Sequence, residues 1–284
     1  MTNMRALLDW YAASGITTAE EAAPTDLYDW PEGGHRMPKP GGKYRSPPPP
    51  PSSAAPSPAA APPSSAVMAD PDGPMPTDEA VALAKQIAAN ATTIEALDDA
   101  IRGFDGCPLK PGARNTVIYD GVPRAPILII GEAPGRDEDR LGKPFVGRAG
   151  ILLDKMLAAI GQSRVAGDDF GDVCITNAIY WRPPGNRTPT KAEIAICLPF
   201  VERFIALSAP KLIMLTGNVP THALYNGAPG ITRSRGAWRD WPGPDGTPLP
   251  VLPVFHPAFL LRQPAQKRLA WADLRSVASR LQAV

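Results

Sequence analysis

A run of acidic residues follows directly on an apolar segment of this chain. The segment APILII ends at residue 130, and the next nine residues read GEAPGRDED. The small residues of GEAPGRDED let its backbone approach a ligand closely, so that the backbone amides can donate hydrogen bonds. The segment has neither GxGxxG nor GxxxxGK, and its acids would repel phosphate, which makes it a poor nucleotide loop. A Mg²⁺ site and a solvated acidic turn both stay open for the four acids, which are Glu132, Asp137, Glu138 and Asp139.

Three further residues could form a pocket for a nucleobase together with this segment. Asn177 stands inside the apolar run DVCITNAIY, where its amide must either pin a neighbouring loop or bind a ligand. An amide offers both a donor and an acceptor, which matches the N3–H and O4 edge of uracil. Phe145 is either a core residue or a stacking platform for a base. His256, in FHPAFLLRQ, is either structural or a donor to developing negative charge.

The segment GEAPG and the residues Asn177 and His256, but not Phe145, stand in or beside four apolar runs, which occupy 125–130, 172–180, 210–217 and 250–257. Runs without polar alternation are typical of strands covered on both faces. Helical patterns lie between them, and strands that alternate with helices indicate a parallel sheet. We therefore predict a three-layer α/β/α sandwich with a central four-stranded parallel sheet. Ligands bind beyond the carboxyl ends of such strands, where the chain reads GEAPG, TN, TGN and HP.

Composition divides the chain into three parts. Of the 36 prolines, 14 lie between residues 37 and 76, in a stretch with few apolar side chains to offset the entropy of ordering. We predict a small helical appendage at 1–35, a flexible Pro-rich linker at 36–76 and a catalytic domain at 77–284. The domain begins with a predicted helix at about 77–103, in which Thr92-Thr-Ile-Glu95 reads as a capping box.

Charge and cysteine content restrict the partners and the compartment. Residues 101–284 carry 23 basic and 15 acidic side chains, against 6 and 13 in residues 1–100. Such a basic surplus favours an anionic partner such as nucleic acid, although a merely soluble surface of mixed charge stays open. Three cysteines suit a reducing compartment. Neither a signal peptide nor an apolar stretch of membrane-spanning length is evident, so we expect a cytoplasmic protein that does not bind membranes.

Four segments, in order, resemble the family 4 uracil-DNA glycosylases over roughly residues 100–284: GEAPGRDED, KPFVGRAG, ITNAIYWRPPGNRTPT and HPAFLLRQP. The resemblance implies that uracil is flipped out of DNA into the pocket and its N-glycosidic bond is hydrolysed. The products would be an abasic site and free uracil, as in the first step of base excision repair. The partner would be uracil-containing DNA, single- or double-stranded, and the enzyme would act as a monomer.

The resemblance also implies a role for the residues of the pocket. Phe145 would stack on the base, and Asn177 would bind its N3/O4 edge. The backbone at Glu132 and Ala133 and the side chain of His256 would hold O2 of the leaving uracil. Glu132 would in addition position the attacking water or stabilise the sugar cation.

The same resemblance implies roles for residues at the rim. Glu138 would line the pocket and help to exclude thymine. Leu260 would be wedged into the base stack. Arg262 would contact phosphates together with Arg182 and Arg187.

The chain departs from this family at its iron–sulfur cluster, which four cysteines usually bind. Cys107 and Cys197 match the second and fourth ligand positions, whereas Phe104 and Trp181 stand at the first and third. Cys174 is not at a ligand position. Two thiolates cannot hold a normal four-iron cubane. We therefore predict that no cofactor is bound and that Phe104 and Trp181 pack where the cluster would lie.

Two other functions stay open on the sequence alone. A relative that recognises uracil or abasic sites in DNA without turnover is one, although Glu132, Asn177 and His256 argue against it. The other is a phosphoesterase that uses the acids of GEAPGRDED with Mg²⁺, whereas a glycosylase works in a chelator. The loop RPPGNRTPT suits clamping of a DNA backbone better than metal ligation.

Overall fold

The computed structural model describes residue 75 and residues 77–167, 171–225, 228–243 and 246–282. The predicted appendage at 1–35 and, apart from Met75, the predicted linker at 36–76 lie outside these ranges. None of the helices within them combines the length and the hydrophobicity that a membrane span requires.

The centre of the structure is a mixed sheet of seven strands. They are β1 Tyr119–Gly121, β2 Ile127–Gly131, β3 Gln162–Ser163, β4 Gly171–Asn177, β5 Leu212–Thr216, β6 Arg239–Pro242 and β7 Pro248–Val254. Their order is β1-β4-β2-β5-β7-β6, with β3 paired to β4. Strands β4, β2, β5 and β7 run parallel, which confirms the predicted four-stranded core of the sheet.

Both edges of the sheet carry an antiparallel strand that the sequence analysis missed. Strand β1 pairs with β4, and β6 pairs with β7. Strand β1 has three residues, and β6 reads RDWP, so neither shows the continuous apolar run of a buried strand. Short strands that contain proline or charge are typical of sheet edges, where backbone groups face solvent.

Nine helices cover the sheet in the described ranges. They are α1 Thr77–Asn90, α2 Ile94–Gly103, α3 Arg136–Leu141, α4 Arg148–Ala158, α5 Lys191–Ser208, α6 Asn218–Leu224, α7 Ile231–Ser234, α8 Pro257–Arg262 and α9 Lys267–Gln282. The single helix predicted at 77–103 is thus two helices. Thr93, not Thr92, caps the second, because its hydroxyl accepts a hydrogen bond from the amide of Ala96 at 3.1 Å.

Alternate side chains of the central strands point into two separate cores. Leu128 and Ile130 of β2 pack with α1, α2 and α5, whereas Ile127 and Ile129 pack with α4, α8 and α9. Strand residues alternate between faces, so an all-apolar strand serves both cores at once. The three-layer α/β/α sandwich is confirmed.

An aromatic cluster occupies the core between α2 and α5. Phe104 and Trp181 are each 1% exposed, and their ring centroids lie 6.5 Å apart. Phe200 meets the Phe104 ring edge-on at 5.1 Å. The buried thiols of Cys107 and Cys197 belong to the same core cluster, and the neighbouring Cys197 lowers the pKa of Cys107. Three aromatic residues and two cysteines therefore close this part of the core by side-chain packing.

Candidate active site

A cleft of about 500 Å³ opens at the carboxyl ends of the parallel strands. Its walls come from the loop after β2, the loop before α4, the end of β4 with the loop that follows, and the start of α8. Eight residues predicted from the sequence line it: Glu132, Ala133, Glu138, Phe145, Asn177, Arg187, His256 and Arg262. Two do not, namely Arg182 and Leu260.

Phe145 and Asn177 meet above the last residue of β2, which is Gly131. A Cβ atom at Gly131 would lie 2.3 Å from Oδ1 of Asn177 and 2.5 Å from Cε2 of Phe145. Such distances are far below van der Waals contact, so only glycine allows the amide and the ring to approach each other here. The ring of Phe145 also lies nearly parallel to that of His256, at 23° and 5.4 Å between centroids.

Asn177 carries the most informative polar group of the cleft. It is the last residue of β4, pairs with Gly131 in the sheet and is 2% exposed. Its side-chain amide has no hydrogen-bond partner among the described residues. Because Asn177 lines the cleft, this amide is available for a ligand that enters it.

The imidazole of His256 is oriented by its own helix. Nδ1 accepts a hydrogen bond from the amide of Ala258 at 3.1 Å, which makes His256 the N-cap of α8. Burial, reinforced by the nearby charge of Arg262, lowers the pKa of His256 from 6.5 to about 4. At neutral pH the ring is therefore uncharged and carries its proton on Nε2, where it can donate to a ligand.

The two glutamates of the cleft have different surroundings. Burial raises the pKa of Glu132, whose carboxyl group has no hydrogen-bond partner within the described ranges. The carboxylate of Glu138 accepts three backbone amides, from Gly135 at 3.1 Å, Val146 at 3.0 Å and Gly147 at 2.9 Å. Glu138 thus fixes the two loops on which the cleft is built, and Glu132 is the carboxyl group left for chemistry.

The remaining acids of GEAPGRDED do not form a metal site. The carboxylate of Asp139 is buried and accepts the amides of Arg114 at 2.8 Å and Asn115 at 3.2 Å. Asp137 lies at the surface, 3.6 Å from Arg140. The part of the chain that the structure describes contains no cluster of three or more His, Cys, Asp or Glu suited to a metal. These contacts favour neither Mg²⁺ nor a merely solvated turn, because two of the four acids, Glu138 and Asp139, bind backbone amides.

The basic residues of the RPPGNR loop stabilise the loop itself. Arg187 makes two hydrogen bonds to the carboxylate of Glu193, at 2.9 and 2.6 Å. Glu193 also accepts the amide of Thr190 in the capping box of α5. Arg182 donates to Oδ1 of Asn186 at 2.7 Å and does not reach the cleft. Only Arg187 therefore presents charge from this loop at the cleft.

The prediction that Leu260 is a wedge is wrong for this structure. Leu260 is 0% exposed and belongs to the core that α8 shares with α4 and α9. On α8, Ala258 and Arg262 are four residues apart and line the cleft, so Leu260 between them faces the protein interior. A side chain that enters a base stack has to be exposed. Arg262 is the exposed side chain at this point of the cleft.

The TGN segment after β5 also lies outside the cleft. A Cβ atom at Gly217 would lie 3.3 Å from Cβ of His256, so the segment packs behind the histidine. Oδ1 of Asn218 accepts the amide of Ile231 at 2.7 Å, which joins α6 to α7. Three of the four strand ends therefore contribute to the cleft, and the fourth supports His256.

The cysteine region does not fit a four-iron cluster. Cys107 and Cys197 supply two thiols, and the aromatic rings of Phe104 and Trp181 fill the positions of the other two ligands. Cys174 lies in β4, where burial raises its pKa to about 12. A cubane requires four thiolates or their equivalents, so this donor set cannot hold one.

The chain is similar to known proteins in the part that forms the cleft. A family model described as the uracil DNA glycosylase superfamily matches residues 118–275. A type-4 uracil-DNA glycosylase of Pyrobaculum aerophilum is 35% identical over 187 residues, which cover 64% of this chain and 91% of the relative. One of Thermotoga maritima is 35% identical over 189 residues, which cover 66% and 93%.

The neutral state of His256 makes the stability of the protein depend on pH. Because its folded-state pKa of about 4 lies below 6.5, the unfolded chain binds the proton first. Stability from neutral His256 is therefore complete above pH 6.5 and falls as the pH drops towards 4. Between pH 7 and pH 4 the wild type should lose about 3 kcal/mol more unfolding free energy than His256→Gln. Urea denaturation checks this, and equal losses in both proteins would contradict it.

Proposed function

The chain belongs to the uracil-DNA glycosylase superfamily, and on that premise we propose that it hydrolyses the N-glycosidic bond of deoxyuridine in DNA. The observation that carries the proposal is the amide of Asn177, which lines the cleft without a hydrogen-bond partner among the described residues and, like the ring of Phe145, lies next to Gly131. A donor and an acceptor beside an aromatic face suit the N3/O4 edge of a stacked uracil.

The positions of the rings support one arrangement of the base. Two aromatic contacts of 3.5 Å need about 7 Å of space, which exceeds the 5.4 Å between Phe145 and His256. A uracil stacked on Phe145 would therefore lie beside His256 instead of between the two rings. In that place O2 of the base would face Nε2–H of the histidine. Access of the base to the cleft requires that it leave the duplex, so the proposal includes base flipping.

The chemical step follows from this arrangement. As the bond between C1′ and N1 breaks, its electron pair passes to the uracil ring, and negative charge develops on O2. Neutral His256 and the amides at Glu132 and Ala133 would donate to that oxygen. The carboxylate of Glu132 would stabilise the cationic sugar and orient the water that attacks C1′. Water would then supply the hydroxyl group of the abasic product, and its remaining proton would neutralise the uracil anion.

Glu138 would act on specificity through the backbone. By accepting the amides of Val146 and Gly147, it fixes the wall of the cleft next to Phe145. A fixed wall at the C5 side of the base would reject the methyl group of thymine by steric overlap. Arg262 and Arg187 would contact phosphates on either side of the flipped nucleotide.

We also propose that the protein folds without an iron–sulfur cluster. The burial of the Cys107 and Cys197 thiols beside the equally buried rings of Phe104 and Trp181 supports this proposal. Apolar packing would then replace the cross-links that a cluster supplies.

Uracil release in a chelator tests the proposed function. The wild-type protein should release uracil from a uracil-containing oligonucleotide in EDTA, because no step uses a metal. Asn177→Asp and His256→Ala should each slow release by about 100- to 1,000-fold, since a carboxylate cannot donate to O4 and alanine cannot donate to O2. Arg275→Ala, an exposed change on α9, serves as the control and should leave the rate unchanged.

Two results would contradict this function in different ways. Tight binding to uracil or abasic DNA without release would support the non-turnover alternative. Hydrolysis of phosphoesters that depends on Mg²⁺ would support the phosphoesterase.

Iron content tests the second proposal. Protein purified without oxygen should contain far less than one iron per chain, and Cys197→Ala should fold and release uracil at nearly the wild-type rate. The expected cost of the small cavity at Cys197 is about 1 kcal/mol. The proposal would be overturned if the wild type contained about four irons per chain and Cys197→Ala lost both the iron and the fold.

A further inference from the structure

The backbone of Phe145 is held in a conformation that a bulky residue rarely adopts. Its φ is +53°, in the left-handed region where the Cβ of an aromatic residue meets its own backbone. Glycine would adopt this conformation without cost, but the proposed function needs an aromatic ring here. Such strain persists only where the surroundings fix the backbone.

One side of this backbone is held by an arginine outside the cleft. The guanidinium of Arg164 donates to the carbonyl oxygens of Pro144 and Phe145, at 2.9 Å each. Its side chain is 10% exposed and is itself fixed by Asp154, at 2.7 Å, and by Asp120, at 3.3 Å. An arginine presents its donors in a rigid fork, so two successive carbonyls are fixed relative to each other.

The other side is held through the amides. Glu138 accepts the amides of Val146 and Gly147, which follow Phe145 directly. Helix α4 closes the space behind, because a Cβ atom at Gly150 would lie only 1.7 Å from the carbonyl oxygen of Phe145. Carbonyls on one side and amides on the other leave the segment little freedom to relax.

We propose that Arg164 is a positioning residue of the active site and forms, with Glu138, a clamp that holds Phe145 in its left-handed conformation beneath the base. Arg164 does not line the cleft, so it acts only through Phe145. Without it, two buried carbonyls lose their donor, and the segment relaxes towards an ordinary conformation. The ring then leaves Gly131 and Asn177. This inference rests on the proposed stacking of uracil on Phe145.

A double-mutant cycle on uracil release tests the clamp. Arg164→Met in the wild-type background should lower kcat/KM by about 10- to 100-fold, because a displaced Phe145 ring would misplace the substrate. In the Phe145→Ala background the same change should alter kcat/KM less than about 2-fold, because the ring it positions is absent. Arg203→Met is the control. Arg203, on α5, also donates to a backbone carbonyl, that of Ala91 at 2.7 Å, but it does not line the cleft. It should leave both backgrounds unchanged.

A second variant covers the case in which Arg164→Met does not fold. Arg164→Lys keeps the charge but cannot bind both carbonyls in a fork, so it should show an intermediate loss that also disappears with Phe145→Ala. Equal losses in the two backgrounds, or full activity in folded Arg164→Met, would overturn the clamp and leave the proposed function standing. No uracil release by the wild type would overturn the proposed function and this inference with it.

Discussion

The active site depends on one energetically unfavourable backbone conformation, that of Phe145. An aromatic residue at positive φ is costly, and here the cost is met by hydrogen bonds to both sides of the peptide segment and by a glycine in α4. This conformation places the ring next to Gly131, near the amide of Asn177 and beside the imidazole of His256. The end of a strand supplies the amide and the N-cap of α8 supplies the imidazole, so the loop is the element that had to be fixed.

Much of the fold could be predicted because its core obeys simple burial rules. Strands covered on both faces are apolar throughout, and four such runs gave the parallel centre of the sheet. The edge strands were missed because solvent accepts their polar residues and prolines, which removes the pattern that marks a strand. The segment 77–103 was predicted as one helix instead of two, since the interruption at residues 91–93 disturbs the apolar periodicity very little.

The site was predictable where residue type and strand end coincide, as for Asn177 and His256. The site was not predictable where the direction of a side chain decides its role. A match in spacing placed Leu260 in the base stack, but the helix that carries it turns that side chain into the core. Likewise, Glu138 stands in the right segment but is bound to backbone amides. Nothing in the sequence marks Arg164, because its two acceptors are carbonyls about twenty residues away.

The central claim is that uracil stacks on Phe145 and is bound by Asn177 and His256. A crystal structure of the protein with free uracil tests it most directly. We expect the pyrimidine parallel to the Phe145 ring, with N3 and O4 at the amide of Asn177 and O2 at Nε2 of His256. Uracil bound elsewhere, or with its N3/O4 edge turned away from Asn177, would contradict the account.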